Sequence, residues 1–128
     1  MQEEDLKDYI NDSGWIKAEL TENFKPYNDN TNNNPQYRKV GKIVEIVGVI
    51  SPTKTITDSA TIIPIFYLPE GFHPHKTKYT ICQGTGVNKW LLTVNGSGGV
   101  NFSRYGASDW ADASTTVWLP FTFSFFID

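Results

Sequence analysis

The chain has 128 residues, a length suited to one domain with a single hydrophobic core. Residues 1–12 hold five acidic residues and one basic residue, a net charge of −4, while the other nine acidic and ten basic residues give a net of +1. A nearly neutral body argues against binding to the phosphate backbone of nucleic acids, and the apolar runs are too short to cross a membrane, so we expect neither as a partner.

The chain begins with an acidic lead. Residues 1–12 could form at most two helical turns, with Leu6, Tyr9 and Ile10 on one side, and so short a helix is unstable alone. We therefore expect residues 1–12 to be an acidic tether or the end of a stem, and residues 13–128 to be the folded domain. Residues 27–35 (YNDNTNNNP) are predicted to be a loop, because asparagine and aspartate side chains bond to their own backbone.

From residue 37 onward the pattern is that of β-strands. Residues 37–50 are predicted to form one long strand or two collinear ones. Further strands are predicted at 61–67, 79–83, 90–94, 100–105 and 117–127, with a hairpin turn at 95–99. Short strands, frequent turns and almost no helix predict an all-β fold, an antiparallel β-sandwich of jelly-roll type.

Side-chain alternation within these strands predicts their faces. In 117–127 the odd-numbered positions are apolar and share one side, as in a half-buried strand. In 100–105, Arg104 is predicted to share a face with Phe102, and Tyr105 to share the opposite face with Ser103. Residues 43–50 are apolar on both faces, and Phe126 adds a ring to the polar face of the last strand. Either another subunit or a long loop is expected to cover the second face.

The segment 68–76 (LPEGFHPHK) contains both histidines of the chain, His73 and His75. Two ligands do not make a metal site, which needs three or four converging groups, so we expect no metal or other cofactor. The prolines and Gly71 instead predict a stiff corner, with Phe72 in the core and both histidines at the surface.

Catalysis is not expected. The single cysteine, Cys82, lies in an apolar strand, where burial would raise its pKa and leave it inert. Asp109 and Asp112 lie three residues apart in one loop, which does not establish the carboxylate separation that glycan cleavage requires.

Four phrases carry a family resemblance. In chain order they are Gly14-Trp15 with Leu20, residues 37–41 (YRKVG) running into Val44, Ile46, Gly48 and Ile50, residues 68–74 (LPEGFHP), and the hairpin from Leu92 to Phe102. Together, over about residues 13–128, they resemble the receptor-binding or tail-fibre head domains of tailed phages and prophages of Gram-positive bacteria. The resemblance implies a β-sandwich head domain at the tail tip of the virion, presented as a homotrimer. It further implies binding to host cell-wall polysaccharide or teichoic acid, and attachment to other tail or baseplate proteins through the N-terminus.

The best candidate for a glycan site is the loop 104–112 (RYGASDWAD). An aromatic ring can stack on a sugar while planar polar groups fix its hydroxyls. The predicted contacts are Trp110, Tyr105, Asp109, Arg104 and Asp112, with Asn88 from a second candidate loop, 83–90. Alternatively, Trp110 folds back over the end of the sandwich and the aspartates only form turns.

Two of the other tryptophans, Trp15 and Trp90, are predicted to lie in the core, and for Trp118 the pattern favours neither core nor surface. Two other functions remain open beside adhesion. One is a purely structural baseplate or fibre module without a glycan site, and the other is a carbohydrate-binding module attached to a glycan-active enzyme.

Overall fold

The computed structural model describes residues 11–127, which fold into two facing antiparallel sheets. The first sheet contains β1 (Ile16–Lys17), β2 (Phe24–Pro26), β3 (Gln36–Val40), β4 (Ile43–Pro52) and β9 (Leu119–Phe126). The second contains β5 (Ile63–Tyr67), β6 (Lys78–Gln83), β7 (Lys89–Val94) and β8 (Gly99–Gly106). Apart from these strands there is one short 3-10 turn at Thr31–Asn33 within the described residues. The predicted all-β antiparallel sandwich is confirmed.

Strand β4 organises the first sheet. It pairs with β9 along residues 43–50 and, on its opposite edge, first with β3 and then with β2. The second sheet runs β5-β8-β7-β6, so that β5 and β6 form its edges. No helix in the described chain is long and apolar enough to cross a membrane.

The core lies between the sheets and is rich in aromatic rings. Trp90 of β7 lies 5.4 Å from Phe102 of β8 and 6.4 Å from Phe121 of β9, measured between ring centroids, so the two sheets meet through these rings. The predicted alternation of β9 is confirmed, because Leu119, Phe121 and Phe125 are buried while Thr122 and Ser124 are exposed.

The prediction of one long strand or two collinear strands over 37–50 is wrong. The chain reverses at Gly41 and Lys42, so that β3 and β4 are antiparallel partners with Val40 opposite Ile43. Gly41 takes a φ of 60°, a left-handed conformation that glycine adopts without steric cost. A strand and a tight hairpin have the same period-2 pattern, which is why alternation alone did not reveal the turn.

The second face of β4 is covered partly by its own chain. The 3-10 turn of the asparagine-rich loop lies against β4, and the Tyr27 amide donates to the Val49 carbonyl at 3.0 Å, which extends the edge pairing of β2 with β4. Val49 is buried. Val49 is therefore covered within the single chain, and the asparagine-rich loop that lies against β4 is one of the two predicted covers. Ile43 and Phe126 face each other across β4 and β9 and stay exposed, Phe126 by 60%.

The folded part includes residues before the predicted boundary at 13. The Asn11 carbonyl accepts a hydrogen bond from the Gly41 amide at 2.9 Å, and the Asp12 carboxylate lies 3.8 Å from the Arg38 guanidinium. Residues 1–10, which carry most of the predicted tether, lie outside the described residues.

The segment 68–76 forms the predicted corner. Phe72 packs edge-on against Tyr37 with 5.4 Å between ring centroids, and Gly71 has a φ of 91°. His75 is exposed as predicted, but His73 is half-buried. Its Nε2 lies 2.8 Å from the Leu68 carbonyl oxygen, and its ring packs against Gly98 in the neighbouring hairpin. The prediction of a surface position for His73 is therefore wrong, because its ring ties the corner to the 95–99 turn.

The loop end as the candidate functional site

Four connecting segments meet at one end of the sandwich, here called the loop end, namely 21–23, 53–62, 84–88 and 107–118. The strand register places them together, since Phe24 pairs with Pro52, Ile50 with Leu119, and Lys89 with Gly106. Two backbone hydrogen bonds of 2.8 and 2.9 Å join Ile56 to Ala113, and the Trp118 amide donates to the Thr85 hydroxyl at 2.7 Å. The loops therefore support one another and form a defined surface.

A kink in β8 controls what this surface presents. Arg104 has a φ of 59°, a conformation that residues other than glycine rarely adopt, and the β7–β8 register shifts here. The buried Ser59 stabilises the kink, because its carbonyl accepts from the Arg104 amide and its hydroxyl bonds both the amide and the carbonyl of Tyr105. As a result the Arg104 side chain points to solvent.

The same kink reverses the predicted position of Tyr105. Its ring is only 1% exposed and stacks on Phe102, with 6.3 Å between centroids, at the edge of the core. The prediction that Tyr105 contacts a glycan, and that it shares a face with Ser103, is therefore wrong. Simple alternation fails because the bulge inserts an extra residue into β8 and turns Tyr105 inward.

Within residues 104–112, Trp110 is the exposed aromatic ring. It is 58% exposed, and the Arg104 guanidinium carbon lies 5.8 Å from its ring centroid, a cation–π distance. The backbones of Gly106 and Trp110 form a bridge, and a side chain at Gly106 would collide with the Asp109 carbonyl. The segment thus folds tightly on itself and holds Trp110 outward, with Asp109 and Asp112 also exposed. The alternative in which Trp110 is folded back over the sandwich is wrong.

The second predicted loop is built around Gln83. Its side-chain amide donates to the carbonyls of Gly84, Gly86 and Asn88 at 2.9–3.2 Å. The Asn88 side chain is half-buried and donates to the Thr85 carbonyl at 3.1 Å. Asn88 therefore closes its own loop beside the Gly106 turn, and its amide is engaged within the chain.

Trp118 adds to the exposed surface of the loop end. The core positions predicted for the other two tryptophans, Trp90 and Trp15, have different outcomes. Trp118 is 40% exposed, next to its bond with the 84–88 loop. Trp90 is buried, as predicted. The prediction of a core position for Trp15 is wrong, because this residue is 43% exposed, with the Arg38 guanidinium carbon 4.6 Å from its ring centroid.

A cleft of about 460 Å³ opens beside the Trp110 segment, between residues 22–23 and the loop from Thr53 to Ile63. Its walls carry carboxylate, amide, hydroxyl and ammonium groups above two isoleucines. The cleft was not predicted from the sequence, although the run from Thr53 to Ser59 is dense in hydroxyl groups. No local pattern indicates that residues 22–23 lie against that run, because this contact joins distant parts of the chain.

The single cysteine, Cys82, is buried in β6. Burial raises the pKa of the Cys82 thiol to about 12, so at neutral pH the thiol is protonated and a poor nucleophile. Among residues 11–127 no group of three or more His, Cys, Asp or Glu side chains is placed to hold a metal ion.

Comparison with known proteins adds to this geometry. No protein-family model matches the chain, and no curated protein sequence matches it significantly. The solved structures that are similar to it include two phage proteins. The receptor-binding head domain of lactococcal phage bIL170 is 13% identical, with a TM-score of 0.59 over 89% of this chain and 97% of that one. The receptor-binding protein of Listeria phage PSA is 12% identical, with a TM-score of 0.58 over 94% of this chain and 69% of that one.

The chain has the fold of phage receptor-binding head domains. Both similar structures come from phages of Gram-positive bacteria, the group named by the sequence resemblance. At these identities the likeness shows the fold, and it carries no side-chain roles over to the loop end of this chain.

Proposed function

We propose that this chain is a phage tail-tip adhesion module that binds carbohydrate of the host cell wall and does not cleave it. The observation that carries the proposal is Trp110, an exposed aromatic ring held outward beside Arg104 at the loop end of a receptor-binding head fold. Loops on a rigid β scaffold are where binding residues concentrate.

The side chains around Trp110 suit a sugar. The apolar C–H face of a pyranose stacks on an indole ring, and the Arg104 guanidinium and the exposed carboxylates of Asp109 and Asp112 can bind hydroxyl groups at its edge. Of the predicted site residues, these four stay in the proposed site. Tyr105 and Asn88 support it from within the fold.

The proposed module acts as a homotrimer, and the outer face of the second sheet supports this. The register places Tyr67, Tyr79, Ile81 and Leu91 on this face around a floor of small side chains, Thr93, Asn101 and Ser103. Ile81 is 73% exposed, and Tyr67 and Tyr79 are exposed as well. Large apolar side chains on one uncovered sheet face are typical of an interface. We call these seven residues the apolar face.

A second copy of the chain is the occupant that fits the apolar face. Around a symmetry axis each side chain approaches its own equivalent, so a charged group would meet a like charge. The apolar face contains no Asp, Glu, Lys, Arg or His. Lys89 lies outside it, one row of paired residues nearer the loop end than Leu91. Three linked copies would supply avidity, so an affinity of about 1 mM per site is sufficient.

The proposal places the chain at the tail tip of the virion, joined to other tail or baseplate proteins through its N-terminus. Binding is expected to purified wall polysaccharide or teichoic acid of the host, and titration of the intact assembly with these polymers tests it. An assembled chain that binds neither polymer from its own host leaves only the structural baseplate function.

The alternative, a carbohydrate-binding module attached to a glycan-active enzyme, is tested by incubating the chain with the same polysaccharide. Release of sugar products that stops in Asp109→Asn or Asp112→Asn would favour catalysis over adhesion. We expect no products, because the two carboxylates lie three residues apart on one exposed loop, which does not establish the separation across a cleft that glycan cleavage requires.

A further inference from the structure

The cleft between residues 22–23 and the Thr53–Ile63 loop has the dimensions of a ligand site. Its volume of about 460 Å³ lies within the range of about 300–1,000 Å³ that is usual for small-molecule pockets. Ile56 and Ile63, which pack against the core, give it an apolar floor, and polar groups form the walls.

Some of these polar groups hold the walls in place. The Thr53 hydroxyl donates to the Glu22 carbonyl at 2.6 Å, which joins the two sides of the cleft. The Thr61 hydroxyl donates to the Asp58 carboxylate at 3.0 Å, which fixes the turn of the loop. The shape of the cleft is therefore set by the chain itself and does not depend on a ligand.

Other polar groups remain available. Within residues 11–127 the side chains of Glu22, Asn23, Lys54 and Thr55 make no hydrogen bond or ion pair with the chain. They offer a carboxylate acceptor, an amide and a hydroxyl that each donate and accept, and an ammonium donor. A polyhydroxylated ring, whose hydroxyls also donate and accept, fits such a set above an apolar floor.

The charge of the cleft selects among sugars. Glu22 and Asp58 against Lys54 give a net charge of −1 around the opening, which repels a phosphate and attracts an amine. We propose that this cleft is a second carbohydrate subsite, which takes a neutral or amine-bearing glycosyl unit and not the phosphodiester of a teichoic acid. That the ligand is a sugar rests on the proposed function.

The subsite belongs to the same rigid end as Trp110. Ile56 in the cleft floor exchanges both backbone hydrogen bonds with Ala113, three residues after Trp110. One glycan chain can therefore place one sugar unit in the cleft and another on the Trp110 ring. Recognition then depends on the order of the sugars in the glycan.

The test is a titration of the isotopically labelled chain followed by amide chemical shifts. The probes are the methyl glycosides of N-acetylglucosamine, glucosamine, rhamnose and glucose, with glycerol 3-phosphate as the anionic probe. At least one sugar is expected to shift the amides of Asn23, Thr55 and Ile56 saturably, and glycerol 3-phosphate is expected to leave them unchanged. Asn23→Ala and Thr55→Val are expected to weaken this binding at least about fivefold.

Charge variants provide the control. Glu22→Gln is expected to weaken glucosamine binding more than N-acetylglucosamine binding, while Glu70→Gln, an exposed carboxylate in the corner at the opposite end, changes neither. Shifts confined to the Trp110 segment would overturn the subsite and leave the proposed function standing. Saturable shifts with glycerol 3-phosphate in the cleft would overturn the assigned sugar class. If no sugar shifts the amides of the cleft, the subsite is also overturned. Binding of the chain to wall polysaccharide then tests the proposed function separately.

Discussion

The Ser59 hydroxyl lies 3.1 Å from the backbone amide of Tyr105 and 3.2 Å from its carbonyl oxygen. Ser59 is buried and belongs to a loop, whereas Tyr105 belongs to β8, so a long-range contact stabilises the left-handed conformation of Arg104. The position of Arg104 beside Trp110 therefore depends on a serine 45 residues away in the sequence.

Removal of this hydroxyl should destabilise the domain. Ser59→Ala leaves the Tyr105 amide without its partner, which costs about 1–3 kcal/mol of unfolding free energy for a buried group. Urea denaturation followed by tryptophan fluorescence measures the loss. Ser124→Ala on the exposed face of β9 is the matched control and should change stability by less than about 0.5 kcal/mol. Equal stability of the two variants would contradict the assigned role of Ser59.

Removal of the exposed ring should weaken binding without affecting the fold. Trp110→Ala deletes a side chain that is mostly in solvent, so the unfolding midpoint should stay close to that of the parent. Binding to wall polysaccharide should fall at least about tenfold per site, equivalent to about 1.4 kcal/mol. Trp15→Ala, another exposed tryptophan away from the loop end, is the control and should bind normally. Normal binding by Trp110→Ala would remove the ring from the site.

A charge on the apolar face should dissociate the assembly. Ile81→Asp places identical carboxylates where the copies are proposed to meet, and light scattering after size-exclusion chromatography should then report the mass of one chain. Val87→Asp is the control, because Val87 is equally exposed but lies in the 84–88 loop. A parent chain that is already monomeric at tens of micromolar would refute the trimer.

The buried thiol should respond to pH only in the alkaline range. Burial raises the pKa of Cys82 to about 12 in the folded chain from 9.0, so its contribution to stability is complete below about pH 9 and is lost as pH rises toward 12. The pKa of Tyr37 is also raised, by burial and then by Glu19, so the parent must be compared with Cys82→Ala. The stability difference between the two should narrow above pH 9. A thiol that reacts rapidly with a disulfide reagent at pH 7 in the folded chain would contradict this burial.

The sequence predicted the sandwich because its strands alternate clearly and turn residues separate them. It did not reveal the β3–β4 hairpin, since Gly41-Lys42 is a weak turn signal inside a run of branched residues. The short β1 and β2 were also missed, because two or three residues carry no period and depend on pairing with β3 and β4.

The candidate site was predicted only in part. An exposed Trp110 with Arg104, Asp109 and Asp112 could be proposed from one loop. The inward turn of Tyr105 could not, because a left-handed arginine has no signature in the sequence and is imposed by Ser59. The cleft was missed for the same reason, as its two walls are brought together only by the fold.

Adhesion to wall carbohydrate is tested most directly by binding of the labelled chain to a panel of Gram-positive strains. Cells of a bound strain are then treated either with protease or with a reagent that extracts the wall polysaccharide. Binding is expected to survive protease, to disappear with the polysaccharide, and to be absent for Trp110→Ala. Binding that protease abolishes and polysaccharide extraction leaves intact would show a protein receptor and contradict the account.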